Sequence, residues 1–380
     1  MRNFYKYILF LCVLTAGWVF VHQASVLPMS YYHRFYTTQY KIFRFVPTFY
    51  VSSKELKSWI DNPPEWAKKQ IEDDFSSFPV ITKESLDQAY EENFTPHNQL
   101  LKVQIKNGKV YTPEEINRKL PHYKGILPVI KYLATRGYLS DCVFILCTQD
   151  YLISKSKNPV PILTYAKNLD VPIEKDAILI PDWLNLKSWE FFSRTLAHAK
   201  RKYSFDKRIK KLFWRGGCAD SMGHRQNLID LDGISDVMDA KFVGKGYSAK
   251  HVPIYAHLAY LYQINLDGAR CSWSRFVWQL SSESVVFKGK SNQMQWFYRG
   301  LKPDTHYLEI PLEITEIEKT IGELNNNPEE VQKLIKNASE FSQNNLKVSH
   351  MYAYIALVLR SYAKRYNGNH ALQDRMIPYQ

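Results

Sequence analysis

Cysteine is scarce in this sequence, with five residues among 380 and no close Cys-x-x-Cys pair. Structural zinc sites are commonly built from such pairs, so a zinc site is not expected. The odd, sparse set is also unlike a disulfide scaffold, although an oxidising compartment leaves room for one bond among Cys142, Cys147, Cys218 and Cys271.

The chain also has no low-complexity tract, no internal repeat and no recognisable nucleic-acid-binding motif. It is basic, with 50 Lys and Arg against 37 Asp and Glu and a formal net charge of +13. Such a charge favours anionic partners, among them nucleotide diphosphates, acidic glycans, anionic lipid and nucleic acid. Because the basic residues are scattered and no binding motif accompanies them, we expect no nucleic-acid partner.

One long apolar run is present, from Tyr5 to Val21, and it is almost unbroken. Its length is near the shortest that spans a bilayer, and Arg2 precedes it. Residues 1–30 are therefore interpreted as a single-pass hydrophobic anchor helix or a secretory signal peptide. Either one predicts a membrane-associated protein or a protein of the secretory pathway or cell envelope.

The rest of the chain, with 45% hydrophobic residues overall, is long enough for two domains. Residues 31–100 are aromatic and polar, with one helix expected over 53–75, and are interpreted as a collar. A hairpin is expected at Asn107-Gly108, and a helix start at Thr112-Pro113. A helix over 123–135 then precedes a buried strand, Cys142 to Cys147.

Asp150 follows this buried strand by three residues. An acidic residue just past the carboxyl end of a parallel strand lies where open α/β sheets place their ligands. The alternative is that Asp150 only caps the next turn, and the sequence leaves both open. The short strand 160–165 and the motif Ile180-Pro181-Asp182-Trp183 complete a first α/β domain, in which Trp183 is equally compatible with a core position.

Two strand-turn-helix units follow a basic helix that we expect over 198–211. In the first, a strand over 211–217 ends in a glycine turn, and a helix begins at Arg225. In the second, a strand over 262–266 breaks at Asp267-Gly268, and a turn with Ser272, Ser274 and Arg275 leads into the next helix. Such turns bring backbone N–H groups and the positive end of a helix dipole together, which suits a phosphate.

A family resemblance rests on motifs that occur in a fixed order. They read FWRGG…HRQNLI, MDAKF, YLYQINLDG…SWSRF, SVVFKG and WFYRGLKPDTHYLEI, with IPDW and DCVFILCTQDY before them. This set resembles the family 90 glycosyltransferases, which include Rumi-type protein O-glucosyltransferases, capsule-associated proteins and lipopolysaccharide-modifying transferases. It covers roughly residues 103–310 and, more weakly, the C-terminal helices.

The resemblance implies an α/β fold of the GT-B type, in which two Rossmann-like domains face each other across a cleft. We assign residues 101–200 to the amino-terminal domain, 201–345 to the nucleotide-sugar-binding domain and 346–380 to a helix that packs back across both. The family inverts the anomeric centre without a metal or other cofactor and uses donors such as UDP-glucose or UDP-xylose. Its sugar acceptors are hydroxyls of glycans or of Ser and Thr in proteins.

The same resemblance implies roles for individual residues. The family's catalytic base is the Asp of an Arg-Asp-Tyr/Trp-Pro motif, which here reads Gln149-Asp150-Tyr151-Leu152, so Asp150 is the expected base. Asp182 and Trp183 are weaker candidates for the acceptor or sugar side. Donor binding is expected from two turns that contain Arg215, Gly216, Gly217, Arg225, Ala269, Ser272, Ser274 and Arg275.

The sequence offers three alternatives to an inverting, metal-independent glycosyltransferase. A metal-dependent transferase needs an Asp-x-Asp motif after a strand, and Asp230-Leu231-Asp232 instead follows the helix expected at 225–229, where a surface loop is the simpler interpretation. A sulfotransferase is disfavoured because no P-loop-like cluster follows an early strand. A non-catalytic glycan-binding or scaffold protein on a decayed fold gains support from the changes at Gln149 and Leu152.

The chain ends Met376-Ile377-Pro378-Tyr379-Gln380 and lacks a KDEL-type signal. Together with the apolar run at the amino terminus, this favours a membrane-anchored enzyme that modifies glycans.

Overall fold

The structure is a computed structural model, which describes residues 51–94, 99–114, 121–149, 152, 161–175, 177–368 and 371–379. The strands are β1 (Leu100–Lys106), β2 (Lys109–Pro113), β3 (Cys142–Cys147), β4 (Ile162–Thr164), β5 (Lys167–Asn168), β6 (Ile178–Leu179), β7 (Ile209–Gly216), β8 (Met238–Phe242), β9 (Tyr260–Asn265), β10 (Val285–Gly289), β11 (Gln293–Met294), β12 (Leu308–Ile310) and β13 (Met376–Pro378). The helices are α1 (Ser53–Asp61), α2 (Glu65–Asp74), α3 (Lys83–Asn93), α4 (Pro121–Thr135), α5 (Pro172–Lys175), α6 (Trp183–Lys202), α7 (His224–Asp232), α8 (Ile254–His257), α9 (Ser274–Leu280), α10 (Ile314–Asn326), α11 (Pro328–Asn345) and α12 (Val348–Arg365).

The second sheet along the chain has five strands in the order β12-β10-β9-β7-β8, and every neighbouring pair is parallel. Helices α7 and α9 connect its strands. Apolar side chains of β7 to β10 are buried in one core together with those of α10 and α11. Parallel sheets need such cover on both faces, which explains the nearly continuous apolar runs in the sequence. The strand-helix-strand expectation is confirmed here.

The first sheet is mixed, in the order β13-β2-β1-β3-β4-β6. Only β3, β4 and β6 run parallel, whereas β13, β2, β1 and β3 pair antiparallel. The Asn107-Gly108 hairpin is confirmed between β1 and β2. The helix start at Thr112-Pro113 was wrong, because β13 pairs with these two residues and extends the strand through Pro113.

The helix expected over 53–75 is in fact two, because Pro63-Pro64 interrupts it. Proline lacks the N–H that a helix interior requires, so α1 ends before this pair and α2 begins after it. Helix α2 packs against β5, so these residues do not form a separate collar. The Asp74 carboxylate at the end of α2 is 2.7 Å from Lys167 Nζ of β5, and both residues are buried.

Two other helix bounds differ from expectation. The basic helix at 198–211 is the end of a longer helix, α6, which stops at Lys202, and β7 begins at Ile209. Helix α7 continues through Asp230-Leu231-Asp232, so this motif is not the loop that the sequence indicated. The Asp232 carboxylate accepts a hydrogen bond from the backbone N–H of Ala240, at 2.8 Å.

The three carboxyl-terminal helices α10, α11 and α12 follow β12 along the chain. Helix α12 is buried along most of its length, and the Tyr362 ring lies between Phe75 and Phe144 of the first sheet's core. Residues after α12 form β13, a strand that the sequence did not reveal.

The anchor segment, residues 1–30, lies outside the described residues. Among the residues that are described, no helix combines the length and apolar character needed to cross a bilayer.

Candidate active site

The strand order of the second sheet creates a switch point between β7 and β9. Counted in chain order, its five strands lie in the sequence 2-1-3-4-5, so the connections leave β7 and β9 in opposite directions. Open α/β sheets bind ligands in the crevice that this divergence leaves at the carboxyl ends of the strands. The two turns singled out in the sequence follow β7 and β9, so they meet at this crevice.

Glycines hold the two strand ends open. A Cβ at Gly216 would lie 2.4 Å from Cζ2 of the Trp214 ring, and one at Gly268 would lie 2.9 Å from an Arg225 nitrogen. Larger residues would therefore displace the indole or the guanidinium. Gly217 and Ala269 are exposed beside them.

The Arg225 guanidinium ties the two turns together. Its Nη1 donates to the carbonyls of Gly217, at 3.0 Å, and Ala219, at 2.9 Å. Its Nε donates to the carbonyl of Asp267, at 3.0 Å, and Nη2 lies 3.4 Å from that of Leu266. Because most of its donors face backbone oxygens, Arg225 first organises the walls of the crevice.

Arg275, at the start of α9, has a different environment. Its Nη2 donates to the Arg215 carbonyl at 2.6 Å, whereas Nη1 is buried and has no hydrogen-bond partner among the described residues. Burial, and then the nearby charge of Arg225, lowers its pKa to about 10, so the group remains cationic at neutral pH. A buried cation with an unused donor is costly unless an anion completes its shell.

The Trp214 ring lies close to both arginines. The guanidinium carbons of Arg225 and Arg275 are 5.6 and 5.8 Å from its ring centroid. Both distances are within the range of cation–π attraction, which offsets part of the repulsion between two neighbouring cations. A dianionic group at the same place would offset more of it.

The serines of the second turn have structural partners. Ser272 Oγ donates to Asn265 Oδ1 at 2.8 Å, and the Asn265 amide donates to Gln279 of α9. Ser274 is buried as the first residue of α9. These contacts fix the turn but leave the roles of both serines in donor binding as predictions.

Arg215 does not join Arg225 and Arg275. Its side chain lies on the other face of β7, where it forms an ion pair with Asp239 at 2.6 Å and stacks on Phe213. Burial alone would raise the pKa of Asp239, but hydrogen bonds from Tyr260 and Arg215 outweigh burial and hold it below its usual value. The backbone of Arg215, rather than its side chain, therefore faces the crevice.

The amino terminus of α7 already has an acidic cap. The Asp220 carboxylate accepts from the backbone N–H of Met222, at 2.7 Å, and of Arg225, at 2.6 Å. A carboxylate there satisfies the helix dipole in the way a phosphate would. The α7 terminus is thus occupied by the chain itself, which leaves the anion-binding capacity with the arginines.

In the first sheet, a buried carboxylate, that of Asp182, lies just past the end of the parallel strand β6. Asp182 follows β6 and caps α6, since one oxygen accepts from the backbone N–H groups of Leu184 and Asn185 at 3.0 and 2.9 Å. Burial raises the pKa of Asp182 to about 6. Trp183 packs against Gly125, where a Cβ would come within 2.7 Å of the Trp183 Cβ.

Asp150, the expected base, lies outside the described residues. The strand before it, β3, ends at Cys147 and runs parallel to β4, so both strands finish at the same edge of the sheet. Among the residues described, no group of three or more His, Cys, Asp or Glu side chains could hold a metal ion. Metal independence itself stays a prediction.

The carboxyl edges of the two sheets meet. Arg270, in the turn after β9, forms an ion pair with Glu174 of α5 at 2.7 Å. The rings of Tyr165, after β4, and Trp273 are 6.5 Å apart. Strands β5 and β11 also pair across the same boundary.

The family comparison fits this arrangement. The model of glycosyl transferase family 90 matches residues 62–377, which is most of the chain. The chain belongs to glycosyl transferase family 90. Family membership thus extends beyond the residues that carried the resemblance, and it includes α2 and the terminal strand β13.

Named relatives of this family 90 protein are similar at low identity. Protein O-glucosyltransferase 2 of Danio rerio is 25% identical over 315 residues, which are 78% of this chain and 61% of that protein. Protein O-glucosyltransferase 3 of Homo sapiens is 23% identical over 349 residues, 83% of this chain and 67% of that protein. The chain thus spans about two thirds of the length of the relatives it matches. Sucrose-phosphate synthase from Thermosynechococcus elongatus aligns over 62% of this chain and 57% of its own at 12% identity, and its TM-score of 0.30 is too low to bear on fold or function.

The crevice is bordered by a buried ion pair that the sequence analysis did not single out. Asp267 and Lys288 form an ion pair at 3.2 Å just past β9 and near the end of β10. Burial raises the pKa of the adjacent Cys271 thiol well above its usual value, and the carboxylates of Asp267 and Asp182 add to this effect. The position of Asp267 and Lys288 at the ends of two neighbouring strands is the feature of the sequence that could have identified this pair.

The four cysteines among the described residues, Cys142, Cys147, Cys218 and Cys271, are all free thiols. The one disulfide that the sequence left open is therefore not formed between them.

Proposed function

We propose that the protein is an inverting, metal-independent glycosyltransferase that moves glucose or xylose from a UDP-sugar to a hydroxyl group. The observation that carries the proposal is the pair of Arg225 and Arg275 beside the Trp214 ring, with Arg275 Nη1 buried and unpartnered among the described residues. It lies at the switch point of a parallel sheet, where nucleotides bind in folds of this topology. Family membership supports the same reaction class.

The pair would act on the leaving diphosphate. As the bond from the sugar to the bridging oxygen breaks, negative charge grows on that oxygen. Fixed guanidinium groups therefore interact more strongly with the transition state than with the bound donor, which is the condition for rate acceleration. Arg275 would supply its unused donor, while Arg225 would supply charge and hold the walls of the crevice in place.

Asp150 is the proposed general base. An acceptor hydroxyl is a poor nucleophile at neutral pH, so its proton must leave as the new bond forms. Strands β3 and β4 are parallel and end at one edge, and the ring of Tyr165, just after β4, is 6.5 Å from that of Trp273 in the turn before Arg275, which supports this role for Asp150. These facing edges support the proposed two-lobed GT-B arrangement, with the base opposite the leaving group.

The acceptor is proposed to be a Ser or Thr hydroxyl of a protein. The named relatives are protein O-glucosyltransferases, and this favours a protein acceptor. The sequence analysis had instead favoured a glycan acceptor of the lipopolysaccharide or capsule type.

The experiment is a screen of UDP-sugars for UDP release by the purified full chain, with and without a chelator. We expect release from UDP-glucose or UDP-xylose that survives chelation. Absence of release from every UDP-sugar, even with protein acceptors present, would contradict the proposal and favour the non-catalytic alternative. Loss of release on chelation alone would instead contradict metal independence.

A membrane or secretory location is proposed from residues 1–30 alone. Deleting these residues should leave UDP release intact and abolish partition into membranes. A folded truncated chain that still partitions with membranes would refute the anchor.

A further inference from the structure

A row of aromatic side chains leads away from the two arginines. The rings of Trp214 and Phe242 are 6.0 Å apart, and those of Phe242 and Tyr247 are 5.2 Å apart. Trp214 and Phe242 are buried, whereas Tyr247 is 42% exposed. The row thus begins inside the crevice and ends in a large aromatic ring at the surface.

The turn that carries Tyr247 is built to hold it at this edge. It follows β8 and is closed by a bridge between Val243 and Ala249, and the Tyr247 N–H donates to the Gly244 carbonyl at 3.2 Å. Gly244 and Gly246 have φ angles of +127° and +92°, which side chains other than glycine rarely adopt. The turn is therefore a formed element, and residues 243–249 include Lys245 and no acidic residue.

The turn that carries Tyr247 adjoins the end of β7, beside the proposed diphosphate site. The Val243 N–H donates to the Gly216 carbonyl at 2.9 Å, which joins the turn to the end of β7. Interaction with the nearby Cys218 thiol raises the pKa of the Tyr247 hydroxyl. Cys218 follows Gly217, whose carbonyl accepts from Arg225.

We propose that the nucleobase of the donor stacks on the Tyr247 ring. This inference rests on the proposed function, since it places the base of the same nucleoside diphosphate whose phosphates the arginines would bind. A ribose separates base from phosphate, so the base must rest beside the arginines rather than on them. An exposed aromatic ring offers a flat apolar face at low entropic cost, and base stacking on such rings contributes substantially to binding.

The test compares two probes, UDP and inorganic pyrophosphate, by titration into the full chain. Tyr247→Ala should weaken UDP binding by roughly tenfold or more and leave pyrophosphate binding unchanged. Tyr247→Phe keeps the ring and should bind UDP as the wild type does. Ile234→Ala, at a residue that is 73% exposed just beyond the other end of α7, is the matched control and should change neither probe.

Three results would overturn the stacking role. They are unchanged UDP affinity in Tyr247→Ala, an equal loss of UDP and pyrophosphate binding, and a loss in Tyr247→Phe as large as in Tyr247→Ala. In each case wild-type binding of UDP would leave the proposed function standing. If the wild-type chain bound neither probe, the proposed function itself would fail.

Discussion

The two sheets differ in what they present at the edge where they meet. The second sheet ends in glycine turns and two arginines, one of which has an unused donor. On the first sheet, the buried Asp182 follows β6, and the proposed base Asp150 comes three residues after β3 in the sequence. Opposite charges on facing edges suit a reaction in which one side accepts a proton and the other holds an anion.

The two arginines show a similar division within the second sheet. Arg225 contacts four backbone carbonyls from both turns, so its role is largely to shape the crevice. Arg275 contacts one carbonyl and keeps a buried donor. Substitutions should therefore separate a shaping residue from a binding residue.

The largest effect is expected at Asp150 on the first-sheet side. Asp150→Asn keeps the shape of the side chain but cannot accept a proton, so transfer should fall by roughly a hundredfold to ten-thousandfold. UDP affinity should stay at the wild-type value, because the proposed diphosphate site lies on the second sheet. Transfer rate, UDP titration and Tm are measured on one preparation.

A capping role for Asp150 predicts the opposite pattern. Stability would fall by about 1 kcal/mol and turnover per folded molecule would be normal. Near-normal turnover in Asp150→Asn would therefore show that Asp150 is not the general base.

The next effect concerns the arginines. Arg275→Gln retains a donor for the Arg215 carbonyl but removes the charge, so transfer should fall by roughly a hundredfold with little change in Tm. Arg225→Gln should lose both rate and stability, since several hydrogen bonds from a charged group to backbone carbonyls disappear. Equal Tm values for the two variants would contradict the division between shaping and binding.

The smallest expected effect is a pH dependence of the free energy of unfolding that arises from Asp182 on the first sheet. The pKa of Asp182 rises from 3.8 to about 6 on folding, so the folded state holds the proton more tightly. Acidification from about pH 7 to about pH 4 should therefore stabilise the wild type relative to Asp182→Asn by about 1–3 kcal/mol. Denaturant unfolding of both proteins at several pH values measures this, and a constant difference would show that burial does not perturb Asp182.

The second sheet was predictable because its strands and helices alternate. Each buried strand is an apolar run bounded by glycine or polar turns, and β7 and β9 lie within two residues of their predicted positions. Arg225 and Arg275 come together as the strand-turn-helix pattern indicated. Arg215 did not follow, because side chains on a strand alternate between faces and its partner Asp239 is distant in sequence.

The first sheet was less predictable for a physical reason. Antiparallel pairing between β2 and β13 joins residues near 112 and 377, and no local pattern marks such a contact. The ion pair of the buried residues Asp74 and Lys167 also joins positions far apart in the sequence, which is why residues 31–100 were interpreted as a separate collar. The break at Pro63-Pro64, in contrast, was readable from the sequence.

The most direct test of the account is UDP titration into the wild type, Asp150→Asn and Arg275→Gln side by side. The account predicts equal affinity for the first two and a loss of roughly tenfold or more for Arg275→Gln, because only the second-sheet edge binds the diphosphate. Wild-type affinity in Arg275→Gln would contradict it and place the diphosphate away from the switch point.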